Sequence, residues 1–353
     1  MNTGHGRRRR AEIRPVKDAV EDQLLARPGV VGVDIGEKFT GGEPTGELGI
    51  VVYVTEKKQE KLLAATELVP STMEGVKTDV QELVVELQPA MQLLQADTLI
   101  DAAAYPLLHG GISTGPSRSV YLSPPVVDVA GEYTFVGTLG AIVQDRGSGD
   151  TMALTNFHVA CVNDEWKVGD AMVQPGRPDG GDPVSGEFGS LTRAQLTQGT
   201  DGAVVTVHPE QEWEATVEGV GEVAGTAEAT EGLLVQKRGR TTGHTFGTVA
   251  STDATLSIDY GDGIGPVTLR NQVRIDTDTA QSARFSDQGD SGSVVMDLER
   301  RIVGLLFAGS SDGSATFANP ILGAFDALDV DLPAVASREG TTAGGGTILG
   351  VHE

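Results

Sequence analysis

The stretch from residue 285 to 293, Phe-Ser-Asp-Gln-Gly-Asp-Ser-Gly-Ser, contains a serine that could act as a nucleophile. Ser291 lies between Gly289 and Gly292, and Asp290 directly precedes it. A serine hydroxyl is a weak nucleophile at neutral pH, so it needs a base to take its proton and donors to hold the oxyanion formed after attack. Glycines allow the backbone N–H groups of Gly289 and Ser291 to converge on one oxygen. The same residues also fit an ordinary polar turn, so partners elsewhere must decide between the two interpretations.

Two motifs upstream supply such partners. His158 lies in Thr-Asn-Phe-His-Val at 155–159, just after an apolar strand, and Asp201 lies in Thr-Asp-Gly-Ala-Val at 200–204, just before one. A base must reach the hydroxyl, and a buried carboxylate on the other ring nitrogen fixes the tautomer and stabilises the imidazolium. His158, Asp201 and Ser291 can fill all three roles. A lone histidine near a strand end would be structural by default, and we expect four others to be structural or solvated: His109, His208, His244 and His352.

Composition limits the classes of function. The chain has 353 residues, of which 39% are apolar, which is enough for two ordinary domains. We find no apolar run long enough to span a bilayer. The formal net charge of −24 argues against nucleic acid or an anionic membrane as partner; it is typical of a solvated surface, or of a high-salt habitat. Since no metal-ligand cluster or phosphate loop occurs, we expect no metal and no cofactor.

The single cysteine and the basic N-terminus bear on location. Cys161 has no partner for an intrachain disulfide. Residues 1–10 end in four arginines, and no apolar core of a signal peptide follows. We therefore expect a cytoplasmic protein whose residues 1–14 form a disordered basic tail, with a contact to an acidic surface as the alternative.

Residues 15–107 predict a small α/β domain followed by a connector. It carries no recognisable catalytic motif, so we expect a scaffold, a prodomain-like role or an interaction module, for example one that mediates homo-oligomers. The elements expected are a helix opening at Pro15, strands at 30–35 and 48–55, a helix at 57–67, a strand at 76–87, and a short helix with a connector at 91–108.

Residues 108–335 change to short β-rich runs separated by Gly, Asp and Pro, which favours a barrel or sandwich. A helix is expected only near its end, at 320–328. Residues 336–353 are rich in Gly and Thr and are expected to be flexible.

The order His, Asp, Ser with these motifs resembles the chymotrypsin-fold (trypsin-like) serine peptidases. The run Lys-Arg-Gly-Arg-Thr-Thr-Gly-His-Thr-Phe-Gly-Thr-Val at 237–249 resembles a hairpin of the bacterial streptogrisin-like branch. Gly-Gly-Ile-Ser at 110–113 and Leu-Leu-Phe-Ala-Gly-Ser at 305–310, behind an α/β unit, resemble the peptidases related to the plant Narrow Leaf 1 protein.

The resemblance implies a mainly β fold of two six-stranded barrels with the catalytic residues in the cleft between them. His158 and Asp201 would come from the first barrel and Ser291 from the second, and the N–H groups of Gly289 and Ser291 would form the oxyanion hole. The expected function is a serine endopeptidase that cleaves protein or peptide substrates through an acyl-enzyme. A peptidase-fold binding or assembly protein and an esterase using the same serine are the alternatives.

The resemblance also implies a pocket for the substrate residue before the cut. Phe285 and Ser286 would approach its base, and no aspartate falls there to hold a cationic side chain unless Asp287 turns inward. We therefore expect an apolar or small side chain before the cut, with Phe285 shortening the pocket. The remaining residues expected around the pocket are Gln288, Phe307, Ala308, Gly309, Thr316 and Phe317.

Asp290 raises a separate question. In the digestive members of this superfamily, a new N-terminal amine pairs with the aspartate before the nucleophile. This chain has no Arg/Lys-Ile-Val-Gly-Gly junction, so we expect activity without that zymogen step. A buried Asp290 must then have another partner, because an unpaired buried charge is very costly.

Overall fold

The computed structural model of the chain describes residues 3–88, 90–93, 103–261 and 263–334. This part is mainly β, with three α-helices: α1 Thr3–Leu25, α2 Phe157–Ala160 and α3 Ile321–Leu328. None of these helices has the length and apolar character needed to cross a membrane.

The strands form a ten-stranded, a twelve-stranded and a three-stranded sheet. The strands in the N-terminal part are β1 Val30–Thr40, β2 Glu43–Val54, β3 Thr72–Met73, β4 Val76–Glu82, β5 Val85–Leu87 and β6 Ala90–Leu93. The middle part contains β7 Leu108–Gly110, β8 Ile112–Pro116, β9 Val120–Leu122, β10 Gly131–Leu139, β11 Ala141–Asp145, β12 Thr151–Thr155, β13 Ala171–Val173, β14 Glu187–Leu196, β15 Asp201–Val207, β16 Trp213–Val217 and β17 Gly221–Glu222. The last part contains β18 Gly225–Thr226, β19 Leu234–Gly239, β20 Gly243–Asp259, β21 Pro266–Thr277, β22 Val294–Asp297, β23 Arg301–Ser310, β24 Ala315–Pro320 and β25 Val330–Asp331.

The ten-stranded sheet runs β25-β11-β12-β15-β14-β13-β8-β10-β6, with β9 on β10. It encloses a core of aliphatic and aromatic side chains from several strands, such as Leu139, Met172 and Val205. In the twelve-stranded sheet, the order β19-β22-β23-β24-β21-β20 closes into a six-stranded barrel, because β19 pairs with both β22 and β20. The mainly β fold with two barrel-like sheets, expected from the sequence, is confirmed.

The N-terminal strands continue the sheet of this second barrel. β1 pairs with β20, and Gly32 faces Leu256. A Cβ atom at Gly32 would lie 2.8 Å from the Leu256 side chain, so glycine permits this close approach. Side chains alternate along β2, and Val51 and Tyr53 pack with the barrel. The strands β1 to β5 therefore belong to the sheet of this barrel, and β2 shares a core cluster with it, instead of forming the separate α/β domain expected from the sequence at 15–107.

The basic N-terminal residues are helical, so the expected disordered tail at 1–14 is wrong from Thr3 onward. Arg10 donates to the carbonyl oxygens of Ile35 at 2.5 Å and Ala250 at 2.9 Å, and Arg14 pairs with Asp253. The acceptors lie on β1 and near the middle of β20. The sequence around the arginines does not reveal these partners, because they are distant in the chain. Pro15 lies inside α1 instead of opening it.

Three other predicted elements differ. The helix expected at 57–67 is reduced to a single 3₁₀ turn, Glu60–Leu62, because the segment has no apolar face to bury and Leu62 is 69% exposed. The strand expected at 76–87 is split into β4 and β5. The helix expected from residue 91 is wrong at its start, where β6 pairs with β10; residues 94–102, and the tail at 336–353, lie outside the described residues.

Buried charges hold α1 against the barrel. The Lys17 ammonium, fully buried, lies 2.5 Å from Glu21 Oε2 and donates to Thr255 Oγ1 at 2.7 Å. Thr255 in turn donates to Glu21 at 2.8 Å, and Arg270 also pairs with Glu21. Removing one partner of such a pair leaves an uncompensated buried charge.

We expect Glu21→Ala to lower the free energy of unfolding by about 3–5 kcal/mol, because it leaves the buried Lys17 ammonium without its buried carboxylate partner. Urea unfolding followed by circular dichroism measures this. Asp22→Ala is the matched control, since Asp22 also pairs with Arg270 but its side chain is 79% exposed; its midpoint should hardly move. Equal effects of the two variants would contradict the buried-charge argument.

Candidate active site

The site is built from one end of the ten-stranded sheet, called the first sheet below, and from one turn of the twelve-stranded sheet, called the second sheet. His158 lies in the four-residue helix α2, directly after β12, and Asp201 is the first residue of β15. Asn156 donates to the Asp201 carbonyl oxygen at 2.7 Å and so joins the two elements. Ser291 precedes β22. The structure thus brings together three residues that are far apart in sequence.

A chain of hydrogen bonds connects them. His158 Nδ1 lies 2.5 Å from Asp201 Oδ2, and His158 Nε2 lies 2.8 Å from Ser291 Oγ. The His158 backbone N–H also donates to Asp201 Oδ1 at 3.2 Å. All three side chains are buried. The carboxylate orients the imidazole, which leaves Nε2 positioned to accept the serine proton.

The turn that carries Ser291 requires its glycines. Gly289 and Gly292 have φ angles of 98° and 96°, in the left-handed region that side-chain-bearing residues avoid. A Cβ atom at Gly292 would lie 2.1 Å from the Thr138 carbonyl oxygen. The Thr138 N–H donates to the Ser291 carbonyl at 2.7 Å, so β10 of the first sheet directly supports the turn of the second.

Tyr260 is a site residue that sequence reasoning missed. Its hydroxyl donates to Asp201 Oδ2 at 2.7 Å. Burial, and then the charge of Asp201, raises the pKa of Tyr260 well above its ordinary value, so the phenol stays a donor. Because the two residues are 59 positions apart and Tyr260 follows an ordinary apolar strand, no local pattern pointed to this contact.

Lys237 answers the question raised by Asp290. Its ammonium lies 3.2 Å from Asp290 Oδ2, and both side chains are fully buried. Asp290 also accepts hydrogen bonds from Thr242 Oγ1 at 2.6 Å and from the backbone N–H groups of Thr241 at 2.9 Å and Asp287 at 3.0 Å. Burial lowers the pKa of Lys237, and the Asp290 carboxylate opposes that shift. A usable signal was present, since Lys237 opens the hairpin motif at 237–249.

The expected oxyanion donor at Gly289 already has a partner. Its N–H donates to the backbone carbonyl oxygen of Gln88, 2.6 Å away. The Gln288 carbonyl, which belongs to the same peptide group as this N–H, accepts from Thr241 Oγ1 at 2.7 Å, and this bond fixes the orientation of the group. The N–H therefore points to a place where a carbonyl oxygen can lie.

Two of the residues expected in the substrate pocket form a polar pair. Ser286 Oγ and Thr316 Oγ1 lie 2.6 Å apart, and both side chains are buried. Gly309 lies against the Gln88 side chain, since a Cβ atom there would be 2.1 Å from Gln88 Nε2. Gln288 is exposed.

The aromatic residues expected in the pocket lie in apolar cores instead. Phe285 packs inside the second barrel with Val249 and Ile275. Phe307, Ala308 and Phe317 belong to the cluster that joins the barrel to the N-terminal strands. Their burial supports the framework around the site, and it gives no support to Phe285 as the residue that shortens the pocket.

A cavity of about 530 Å³ lies beside His158. Its walls come from both sheets and from the N-terminal part, and they include Leu87, Met91, Tyr121, Phe135 and Tyr260. Among the described residues, no group of three His, Cys, Asp or Glu side chains could hold a metal ion.

Replacing Lys237 with Met should leave Asp290 as an unpaired buried charge and lower the free energy of unfolding by about 3–5 kcal/mol. Chemical denaturation measures the change. Lys77→Met is the control, because Lys77 pairs with Glu47 on the surface, where its side chain is 54% exposed; the midpoint of that variant should be nearly unchanged. A Lys237→Met protein as stable as the parent would show that the other donors to Asp290 suffice.

No protein-family model and no curated protein matches the chain. Solved structures do resemble it. Protease A of Thermobifida fusca is 21% identical, with 64% of this chain and 98% of that chain covered and a TM-score of 0.44. A Nocardiopsis protease is 19% identical, with the same coverage and a TM-score of 0.45. An α-lytic protease homologue, N4, is 18% identical over 64% of this chain and 98% of that one, with a TM-score of 0.45. The mainly β architecture with its barrel-like sheets, described above, is the one expected from the sequence.

Proposed function

We propose that the chain is a serine endopeptidase whose nucleophile is Ser291. The observation that carries this proposal is the continuous hydrogen-bond chain from Asp201 through His158 to Ser291, at 2.5 and 2.8 Å. A serine with a base and a buried carboxylate in this order is the arrangement needed to activate a hydroxyl for acyl transfer.

The geometry supports each step of peptide hydrolysis. Ser291 Oγ attacks the substrate carbonyl carbon while His158 Nε2 takes its proton, and Asp201 stabilises the imidazolium. The N–H groups of Gly289 and Ser291 hold the oxyanion. His158 then protonates the leaving amine nitrogen, which breaks the C–N bond and leaves an acyl-enzyme. Water, deprotonated by the same imidazole, releases the acid and restores Ser291.

Several finer points belong to the same proposal. An apolar or small side chain before the cut remains the specificity predicted from the sequence. The relation to Narrow Leaf 1-type peptidases, the cytoplasmic location and an oligomer formed through the N-terminal residues also remain predictions. An esterase would use the same chemistry, and a comparison of protein with ester substrates separates the two.

The binding or assembly protein is the second candidate, and one observation favours it. The donor at Gly289 is occupied by the chain's own Gln88 carbonyl. A cleft filled in this way could serve as a binding or assembly surface with no turnover. The test of activity must therefore use a protein in which that contact has been removed.

The test is a variant in which residues 86–92 are replaced by a Gly/Ser linker of equal length. We expect a biotinylated fluorophosphonate to label Ser291 in this protein and casein to be degraded, because labelling requires an activated serine. Ser291→Ala in the same background is the control and should show neither. A folded linker variant that is neither labelled nor active would overturn the peptidase proposal in favour of a binding protein.

Tyr260 should act as a positioning residue through Asp201. A hydrogen bond to a charged group contributes about 1.5–3 kcal/mol, so Tyr260→Phe in the linker background should lower kcat about ten- to a hundredfold with KM nearly unchanged. Tyr53→Phe removes a similar bond, from a buried phenol to the buried Asp34 away from the site, and should leave kcat unchanged. A rise in KM with kcat unchanged would contradict the positioning role.

A further inference from the structure

The segment at residues 84–88 lies along β23 as an added strand. Leu87 pairs with Ala308, Glu86 with Gly309 and Val85 with Ser310, in antiparallel register. At its ends, the Gln88 N–H donates to the Phe307 carbonyl at 3.3 Å and the Ser311 N–H donates to the Val84 carbonyl at 3.0 Å. Strand addition to a sheet edge is a general way in which a protein binds an extended peptide.

Gln88 lies where the acyl part of a scissile bond would lie. Its carbonyl oxygen accepts from the Gly289 N–H at 2.6 Å, the donor assigned to the oxyanion. Gln88 as a whole is only 4% exposed, and its side chain lies against Gly309. The backbone position and the buried side chain together correspond to a substrate residue just before the cut.

The chain continues on the other side of the cleft. β6 pairs with β10 in antiparallel register, with Ala90 opposite Val136 and Met91 opposite Phe135. β10 belongs to the ten-stranded sheet and β23 to the twelve-stranded sheet, so the described residues before and after position 89 pair with different sheets. Leu87 and Met91, one from each side of Gln88, both line the cavity next to His158.

We propose that residues 85–93 are a built-in substrate mimic that keeps the cleft closed, with Gln88 in the position of the residue before the cut. This inference rests on the proposed peptidase function. It replaces the predicted preference for an apolar or small side chain with a preference for glutamine, in the sequence Val-Glu-Leu-Gln. External substrates are then extended peptides that displace this segment from β23.

The sequence explains why the segment can occupy the site without being cut. The bond after Gln88 joins it to Pro89, whose nitrogen carries a ring carbon in place of a hydrogen. Cleavage requires His158 to protonate this nitrogen, and the ring adds bulk at the atom that the imidazole must reach. A secondary amide at the same place would lack that obstacle.

The mimic is tethered, yet it is not optimally bound. A segment held on both sides has an effective concentration of roughly millimolar, far above that of an ordinary protein substrate. The Gln88 Oε1 atom, however, is buried without a hydrogen-bond partner in the described part of the chain, which weakens binding. Displacement by a better ligand therefore remains feasible.

The first experiment compares the intact chain with the linker variant of residues 86–92. The probe is acetyl-Val-Glu-Leu-Gln-aminomethylcoumarin, and the same peptide ending in Arg is the specificity control. We expect the linker variant to release coumarin at least tenfold faster than the intact chain, and the Gln peptide to be preferred at least tenfold over the Arg peptide. Equal rates for intact and linker proteins, or a preference for Arg, would overturn the inference.

The second experiment changes one residue and keeps the segment in place. Pro89→Ala should convert the mimic into a substrate, so intact-mass measurement should show self-cleavage after Gln88. Pro89→Ala combined with Ser291→Ala is the control and should stay uncut. Self-cleavage that is independent of protein concentration supports binding of the segment in its own cleft.

The two experiments separate the inference from the function on which it rests. A Pro89→Ala protein that reacts with the fluorophosphonate at Ser291 but remains uncut would overturn the substrate mimic and leave the peptidase function intact. A protein that neither reacts nor is cut, together with an unlabelled linker variant, would overturn both.

Discussion

The buried carboxylate of Asp290 holds the turn on which the rest of the site depends. It accepts from Lys237, from the hydroxyl of Thr242 and from backbone N–H groups on both sides of the turn. Gly289 and Gly292 supply the left-handed φ angles that this turn requires. Ser291 is placed in reach of His158 because the turn is anchored at its centre and supported by β10 of the first sheet.

The same cleft is where the N-terminal part meets the barrels. Lys17, Glu21 and Thr255 join α1 to β20, and the strands β1 and β2 share a core cluster with Phe307 and Phe317. These contacts hold the chain that leads into β5, and Gln88 follows at the Gly289 N–H. A segment that is already held in place loses less conformational entropy when it is ordered in the cleft. The N-terminal part therefore bears directly on access to the site.

Sequence reasoning succeeded where the signal is local and failed where it depends on a distant partner. The motifs around His158, Asp201 and Ser291 carry their own flanking residues, so all three could be singled out. The prediction of a helix at 57–67 was wrong, because the segment has residues with helix propensity but no apolar face that could pack against the rest of the protein. The strand β6 was missed because β10, the strand with which it pairs, lies more than thirty residues further along the chain. Phe285 was predicted in the substrate pocket by resemblance, but it packs in the core of the second barrel. Full burial of a large apolar side chain gives the largest gain in hydrophobic free energy.

By itself, the sequence determined the nucleophile, the base and the carboxylate as candidates, the mainly β fold, and the need of Asp290 for a partner. These predictions follow from residue types and from their order within short motifs, both of which can be read from the sequence. Only the tertiary structure decided that Lys237 meets that need, that Tyr260 bonds to Asp201, and that Gln88 lies at the N–H of Gly289. Such contacts join residues far apart in sequence, and they arise from sheet register and core packing; the hairpin motif at 237–249 singled out Lys237 but did not pair it with Asp290.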